Sequence, residues 1–461
     1  MTTTAFVDVN VVPMDAERVL ERQTVLIEGD RIAAIGPSHE IAVPDGATRI
    51  DGRGRYLMPG LCDMHVHYNA LASDSFGSGA ASARPSDREV SFAPLFIANG
   101  VTTVRNMWGG PRMLYVRDAI NSGADMLGPA IYTCGPLMDG NPPIWRGSEV
   151  LETAEAAERS VAAQKEAGYD FLKVYNMLST EVYDAIIAAA REHGMRVVGH
   201  VPGRVGLQHA LDSGQVSIEH LNGYLNALVA EGSPPMQASN MTEFFTYWAE
   251  HTDESKISAV ARATVEAGVW NCVTMIVNSK HGPARFAFDE ECERPELRYL
   301  SSAYIESWRQ TASAPIEDRV RAERAYRRAH ELREQLVREL RDAGARLLLG
   351  GDTPNPFVIP GFSAHDELAL LVQAGLTPYE AIRAGTSDAA EFLDARDEFG
   401  TVVPGLRADL VLCQANPLED VSNVAKRVGV MLRGRWLSAD ALDAMLEDVA
   451  TKAAAPARHE H

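Results

Sequence analysis

The chain has 461 residues, a length that accommodates one large barrel domain together with a small accessory domain. Its formal net charge of −20 argues against a nucleic-acid partner, because binding to a phosphate backbone depends on Lys and Arg. No stretch reaches the roughly 18 uninterrupted apolar residues that a membrane span needs, and the first residues lack the pattern of a secretory signal. Five scattered cysteines without a CxxC pair are typical of a reducing compartment, so we expect a cytoplasmic protein.

Both ends of the chain have the composition of short β-strands. The segments TAFVDVNVV and QTVLIEGDRIAAIG near the start, and RADLVLC and RVGVMLRGRWL near the end, are rich in β-branched and other apolar residues. Neither end alone can bury enough apolar surface to be stable. We therefore predict one composite β-sandwich domain from residues 1–58 and 400–440, followed by a terminal helix and tail over residues 441–461.

The middle of the chain, residues 59–399, alternates strands with helices. Eight strand candidates are mostly short and apolar, as expected of strands that are buried on both faces. This alternation favours a parallel sheet closed into a (β/α)₈ TIM barrel, which places the chain in the α/β class. An open doubly wound sheet is the alternative, but the sequence lacks the Gly-rich phosphate loops usual in that fold. The predicted strands are Leu61–His67, Gly100–Asn106, Ala130–Cys134, Phe171–Tyr175, Arg196–His200, Val216–His220, Val269–Met275 and Ala345–Asp352.

Six polar residues fall at or near the carboxyl ends of these strands, the barrel face on which catalytic groups are mounted. The two histidines of the HVH segment are two positions apart, so in a strand both side chains point to the same side. The lysine of FLKVY is the least expected residue, because buried lysines are rare unless they are paired or functional. The six residues are His65, His67, Lys173, His200, His220 and Asp352.

These residue types indicate a metal centre. Imidazole nitrogens and carboxylate oxygens suit Zn²⁺, and a catalytic ion keeps one coordination position open. Four histidines are too many for one such ion, and the ammonium group of Lys173 has no lone pair to offer. Both difficulties disappear if Lys173 reacts with CO₂ to form a carbamate whose two oxygens bridge two ions. We therefore predict two divalent metal ions, with zinc as the expected metal, and a carbamate on Lys173.

The chain resembles the amidohydrolase superfamily, in the binuclear subtype that carries a carboxylated lysine. The segment MPGLCDMHVH is similar to the family pattern PGxxDxHxH, and Lys173, His200, His220 and the GGDT segment follow in family order. The resemblance extends over nearly the whole chain. It is strongest toward the imidazolonepropionase-related and prolidase-like branch, which also includes ochratoxin-cleaving enzymes.

The resemblance implies hydrolysis of a C–N bond in a small amide or peptide-like substrate, with a hydroxide shared by the two ions as the nucleophile. It implies that Asp352 orients this hydroxide and passes its proton to the leaving nitrogen. Tyr224, four residues beyond His220, is the candidate donor to the scissile carbonyl, and packing within the loop is its alternative role. The implied ligands are His65, His67 and Asp352 for the more buried ion, His200 and His220 for the more exposed ion, and carboxylated Lys173 between them.

Two segments depart from the prolidase-like pattern. YTCGPLMDGNPPIW replaces a TGGH-type motif, and YNML follows Lys173 in place of a glycine-rich turn. We expect the first segment, with Asp139 and Trp145, to line the substrate pocket. The segment from Ile316 to Asp342 is predicted as the helix that crosses into the eighth strand. Two insertions are candidates for a lid, namely Ala230–Ser255 and Val277–Ala314.

Other functions remain open at this point. The same metal centre could hydrolyse a lactone, an ester or a phosphoester, because the nucleophile does not itself select the electrophile. A deaminase is disfavoured, since HVPG stands where those relatives carry a glutamate three residues after the strand-five histidine. A non-catalytic scaffold is disfavoured because no candidate ligand is missing. We expect a small-molecule substrate, no nucleic-acid or membrane partner, and a homo-oligomeric assembly.

Overall fold

The computed structural model describes residues 2–68, 92–123, 126–238, 240–281, 286–312 and 318–454. The strands are β1 Thr3–Val11, β2 Leu20–Glu28, β3 Arg31–Pro37, β4 Thr48–Asp51, β5 Tyr56–Pro59, β6 Leu61–Val66, β7 Val101–Asn106, β8 Ala130–Thr133, β9 Met138–Asp139, β10 Glu149–Val150, β11 Phe171–Val174, β12 Arg196–Gly199, β13 Ser217–Glu219, β14 Trp270–Cys272, β15 Arg346–Leu348, β16 Leu410–Cys413, β17 Arg427–Leu432 and β18 Arg435–Ser438. The α-helices are Ala93–Ala98, Pro111–Asn121, Ala154–Ala167, Thr180–Glu192, Leu207–Ser213, Tyr224–Ala227, Met241–His251, Ile257–Ala267, Met275–His281, Phe288–Glu291, Ser302–Ala312, Arg319–Ala343, Phe362–Gln373, Pro378–Ala384, Ser387–Phe392 and Ala439–Ala454.

Strands from the two ends of the chain form a single eight-stranded sheet. Its order is β18-β17-β16-β5-β1-β2-β3, and β4 pairs with β1. The two ends meet where β5 pairs antiparallel with β16. Apolar side chains of both ends share one buried cluster that includes Phe6, Leu57, Leu410 and Met431. Burial of these side chains compensates for the inability of either end to form a core alone.

The middle of the chain forms parallel sheets, which confirms the predicted α/β class. One sheet has the order β6-β7-β8, and the other has the order β10-β9-β11-β12-β13-β14-β15. A parallel bridge between Cys134 and Phe171 lies between the first sheet and β11. A second bridge joins Val66 of β6 to Thr353, shortly after β15. All four residues of β11 are buried, as in a sheet that is covered on both faces.

The observed strands are shorter than the predicted ones, mostly at their carboxyl ends. The predicted strands Ala345–Asp352 and Val269–Met275 are shortened most. The strand β15 ends at Leu348, and β14 ends at Cys272 because Met275 already begins a helix. The carboxylate of Glu367 accepts hydrogen bonds from the backbone N–H groups of Met275 and Ile276, at 2.8 and 2.6 Å, and thereby caps this helix. The polar residues that were predicted to end strands therefore mostly lie in the first residues of the following loops.

The first insertion, Ala230–Ser255, contains a helix that packs against the crossover helix. The helix Met241–His251 packs on the helix Arg319–Ala343, with the rings of Phe245 and Tyr326 4.2 Å apart between centroids. The helix Arg319–Ala343 leads into β15, as predicted for the segment from Ile316 to Asp342. Ile316 itself lies outside the described residues. Parts of Val277–Ala314 and the final tail, residues 455–461, also lie outside them. No helix in the described ranges is both long and apolar enough to cross a bilayer.

Candidate metal centre

The structure brings the six predicted polar residues together. His65 lies within β6 and Lys173 within β11, and the other four follow the ends of β6, β12, β13 and β15. The Nε2 atom of His65 lies 3.2 Å from Lys173 Nζ, and His67 Nε2 lies 3.1 Å from Asp352 Oδ1. The candidate ligand atoms of His65, His67 and Asp352 are all within 4.8 Å of one another.

The remaining two histidines complete the group. The ring centroid of His220 lies 4.4 Å from that of His65 and 5.0 Å from that of His200. Lys173 is 1% exposed and His200 is 6% exposed, so most of the group is shielded from water. Burial lowers the pKa of His65 and of His200, which favours the neutral imidazoles that can bind a metal.

Three of the histidines are oriented by a hydrogen bond between Nδ1 and a side-chain oxygen. An imidazole that donates through Nδ1 presents Nε2 as its lone-pair atom, which is the arrangement found around protein-bound metals. The partners come from three different segments of the chain, and the sequence did not identify any of them. They are Glu219 Oε2 for His65 at 2.8 Å, Asn176 Oδ1 for His200 at 2.7 Å, and Thr274 Oγ1 for His220 at 2.7 Å.

The donor set fits a metal centre. His200 Nε2 is buried and makes no hydrogen bond within the described part of the chain, and Asp352 Oδ1 is buried 3.1 Å from His67 Nε2. Buried polar atoms are normally satisfied, so such atoms in a cluster need another partner. A divalent cation would provide one for the imidazole nitrogen and the carboxylate oxygen together.

Lys173, the residue predicted to carry a carbamate, lies within the histidine cluster. Its burial lowers the pKa of the amino group, which favours the neutral amine that can react with CO₂. The amine lies 3.2 Å from the imidazole Nε2 of His65 and has the carboxylate of Asp352 nearby. A carbamate would convert this buried amine into an anionic group and add two oxygen ligands.

A buried ion pair supports the centre from inside the barrel-like core. Arg105 donates to both carboxylate oxygens of Glu219 at 2.9 Å, and both side chains are fully buried. Arg105 also donates to the carbonyl oxygen of Met64 at 2.6 Å. Glu219 is thus held in place by Arg105 while it accepts the hydrogen bond from His65.

The backbone near the site has unusual conformations. His220 and Asp352 have φ values of 63° and 58°, in the left-handed region that non-glycine residues seldom adopt. Gly199 precedes His200, and a Cβ atom at Gly199 would lie 2.3 Å from the carbonyl oxygen of Val174. Asp63 accepts hydrogen bonds from the backbone N–H groups of Gly351 and His65, and so links the two strand ends.

Tyr224 does not join this group. Its hydroxyl forms a 3.0 Å hydrogen bond with Thr264 of the helix Ile257–Ala267, and its side chain is fully buried. The structure therefore matches the packing role that was the alternative for this residue. It does not match the donor role, since the hydroxyl is engaged in the helical layer.

Asp139 and Trp145 differ in their surroundings. Asp139 is fully buried, and its oxygens accept hydrogen bonds from the backbone N–H groups of Gly140, Ile144 and Met177. It therefore shapes the loop instead of lining an open pocket as expected. Trp145 is 48% exposed, and its indole N–H donates to the hydroxyl of Tyr175 at 2.8 Å.

Known proteins resemble this chain over most of its length. Ochratoxinase of Aspergillus niger is 23% identical over 467 residues, which cover 89% of this chain and 81% of that protein. The solved structure of bottromycin amidohydrolase has a TM-score of 0.71 and 24% identity, and covers 98% of this chain and 90% of that chain. The structure of a Xaa-Pro dipeptidase with bound methionine has a TM-score of 0.67 and 21% identity, and covers 95% and 100%. These structures show a shared TIM-barrel-like fold.

The family model gives the more specific result. The model described as the amidohydrolase family matches residues 56–437, a range that includes all six candidate ligands. The resemblance predicted from MPGLCDMHVH and the segments that follow it is confirmed. Because the match spans most of the sequence, this chain belongs to the amidohydrolase family.

Proposed function

We propose that this enzyme is a binuclear metal-dependent amidohydrolase that cleaves a C–N bond in a small amide or peptide-like substrate. One observation carries the proposal: His65, His200 and His220 each have Nδ1 hydrogen-bonded to a side-chain oxygen, within a cluster that also contains Lys173 and Asp352. Membership of the amidohydrolase family supports hydrolysis as the reaction type. The names of a dipeptidase and an amidohydrolase among similar structures support a C–N bond as the bond that is cleaved.

The proposed ligands are His65, His67 and Asp352 for one ion, His200 and His220 for the other, and the carbamate of Lys173 for both. When bound, two zinc ions would lower the pKa of a water molecule and polarise the scissile carbonyl. Asp352 accepts the proton of the attacking water and donates it to the leaving nitrogen. Asn176, Thr274 and Glu219 hold the imidazoles in position, so little reorganisation is needed during the reaction.

The proposal also covers the domain architecture and the assembly of the enzyme. The barrel closes around eight strands, and the bridges Cys134–Phe171 and Val66–Thr353 support that closure. Residues 1–58 and 400–440, whose strands pair in the eight-stranded sheet, form a β-sandwich domain. This domain is separate from the barrel of residues 59–399. The enzyme works as a cytoplasmic homo-oligomer on a small molecule, without nucleic acid.

A matched substrate panel tests this function. Zinc- and bicarbonate-treated enzyme is assayed on N-acyl amino acids, Xaa-Pro dipeptides and cyclic amides, together with the corresponding esters, lactones and a phosphoester. We expect amide hydrolysis that a zinc chelator abolishes and added zinc restores, because the reaction depends on bound metal. Hydrolysis of esters or phosphoesters alone, or amide hydrolysis that survives metal removal, would contradict the proposal.

A further inference from the structure

The segment that follows Lys173 places an aromatic ring beside a candidate ligand. Tyr175 comes directly after β11, at the carboxyl end of the strand. Its ring stacks on the imidazole of His200 with centroids 4.1 Å apart and an angle of 30° between the planes. The ring centroid lies 5.8 Å from Lys173 Nζ. Tyr175 is therefore adjacent to both His200 and Lys173, and its side chain is only partly buried.

The hydroxyl of Tyr175 accepts a hydrogen bond from Trp145. An indole N–H can donate but not accept, so the 2.8 Å hydrogen bond from Trp145 uses the acceptor capacity of the phenol. Within the described residues, the hydroxyl proton of Tyr175 has no acceptor. A phenol remains protonated at neutral pH, so this hydroxyl is a hydrogen-bond donor on a ring that stacks on the candidate ligand His200.

The geometry points to a catalytic role for this donor, and the inference rests on the proposed function. We propose that the Tyr175 hydroxyl donates a hydrogen bond to the scissile carbonyl oxygen of the amide substrate, and that Trp145 is a positioning residue that holds the phenol in place. Negative charge develops on this oxygen in the transition state, so a fixed donor stabilises the transition state more than the substrate. This assigns to Tyr175 the role that the sequence had suggested for Tyr224.

Paired Tyr→Phe variants test the assignment. The best N-acyl amino acid of the substrate panel is assayed with Tyr175→Phe, and with Tyr224→Phe, which removes the hydroxyl bonded to Thr264. We expect kcat to fall about 100-fold in Tyr175→Phe, the size of effect seen when one such donor is removed. Tyr224→Phe should retain kcat within a few-fold of the parent, and both variants should retain the metal content of the parent.

Binding measurements give a readout that does not depend on turnover. Calorimetry with the phosphonamidate analogue of the same substrate should show weaker binding to Tyr175→Phe, because the analogue carries a charged oxygen in place of the carbonyl. Binding of the carboxylic acid product should change much less. Trp145→Phe keeps a ring but removes the N–H donor, and should lower kcat with little change in KM.

The outcomes separate this inference from the proposed function. Parental kcat and analogue binding in Tyr175→Phe would overturn the role of Tyr175, and so would a larger loss in Tyr224→Phe. Loss of metal from Tyr175→Phe, with product binding weakened equally, would also overturn it, since the residue would then only stabilise the centre. A parent enzyme without metal-dependent amide hydrolysis would instead contradict the proposed function.

Discussion

Asp352→Asn is expected to lower kcat by about 1,000-fold while the protein keeps most of its metal. Proton transfer by a positioned side chain contributes up to about 10⁴-fold to catalysis. The amide oxygen of asparagine can still approach the ions, but it cannot accept and return a proton at neutral pH. Asp352 is well placed for this role, because its Oδ1 lies 3.1 Å from His67 Nε2, within the group of candidate ligands.

The measurement compares kcat and bound metal in the same preparation. Asp342→Asn is the matched control, since Asp342 is half-exposed near the end of the helix Arg319–Ala343 and forms its ion pair with Arg341. The control should behave like the parent. If Asp352→Asn turns over the amide at the parental rate, Asp352 is not the proton carrier.

Lys173→Ala is expected to lose most of its metal and to lower kcat/KM by about 1,000-fold or more. The substitution removes the lysine that is proposed to carry the bridging carbamate, and with it several kcal/mol of stabilisation that bound metal would supply to the transition state. Acetate or propionate should restore part of the activity and of the metal content, because a small carboxylate can occupy the space of the missing side chain. Activity and metal are measured over a series of carboxylate concentrations.

Lys165→Ala provides the comparison for this experiment. Lys165 lies on the solvent-facing side of the helix Ala154–Ala167, so its removal should leave metal content and activity unchanged. A Lys173→Ala variant that binds the parental amount of metal without added carboxylate would show that this lysine is not a bridge. If added carboxylate raised the activity of the parent and of Lys173→Ala by the same factor, this result would also argue against the carbamate.

The sequence predicted the convergence of the six polar residues because each is chemically unusual in its position. A lysine within the buried strand FLKV and two histidines in HVH are hard to explain by packing alone. Parallel strands that alternate with helices then bring their carboxyl ends together, so distant residues of the sequence share one site. Strand pattern and residue chemistry were sufficient for this part of the account.

The partners of the histidines could not be predicted in the same way. Thr274 lies 54 residues from His220 and Glu219 lies 154 residues from His65, so these contacts depend on how the strands are arranged side by side. Thr and Glu are also common residues that carry no signal by themselves. Asn176 had one available clue, since YNML departs from the glycine-rich turn of the relatives, but its contact with His200 needs the folded loop.

Tyr224 shows why proximity in the sequence is a weak guide to a donor. The residue follows His220 closely, but His220 and Leu221 both have positive φ values, and the chain turns there. Tyr224 then begins the short helix Tyr224–Ala227, and its hydroxyl reaches Thr264. Asp139 is similar, because its carboxylate satisfies backbone N–H groups of its own loop and of the segment after β11.

The central claim is that side chains from several strands hold two metal ions around an activated water. Elemental analysis of the purified protein, after reconstitution with zinc and bicarbonate and removal of unbound metal, tests it most directly. We predict about two metal ions per chain. Protein that retains no stoichiometric transition metal under these conditions would contradict the account.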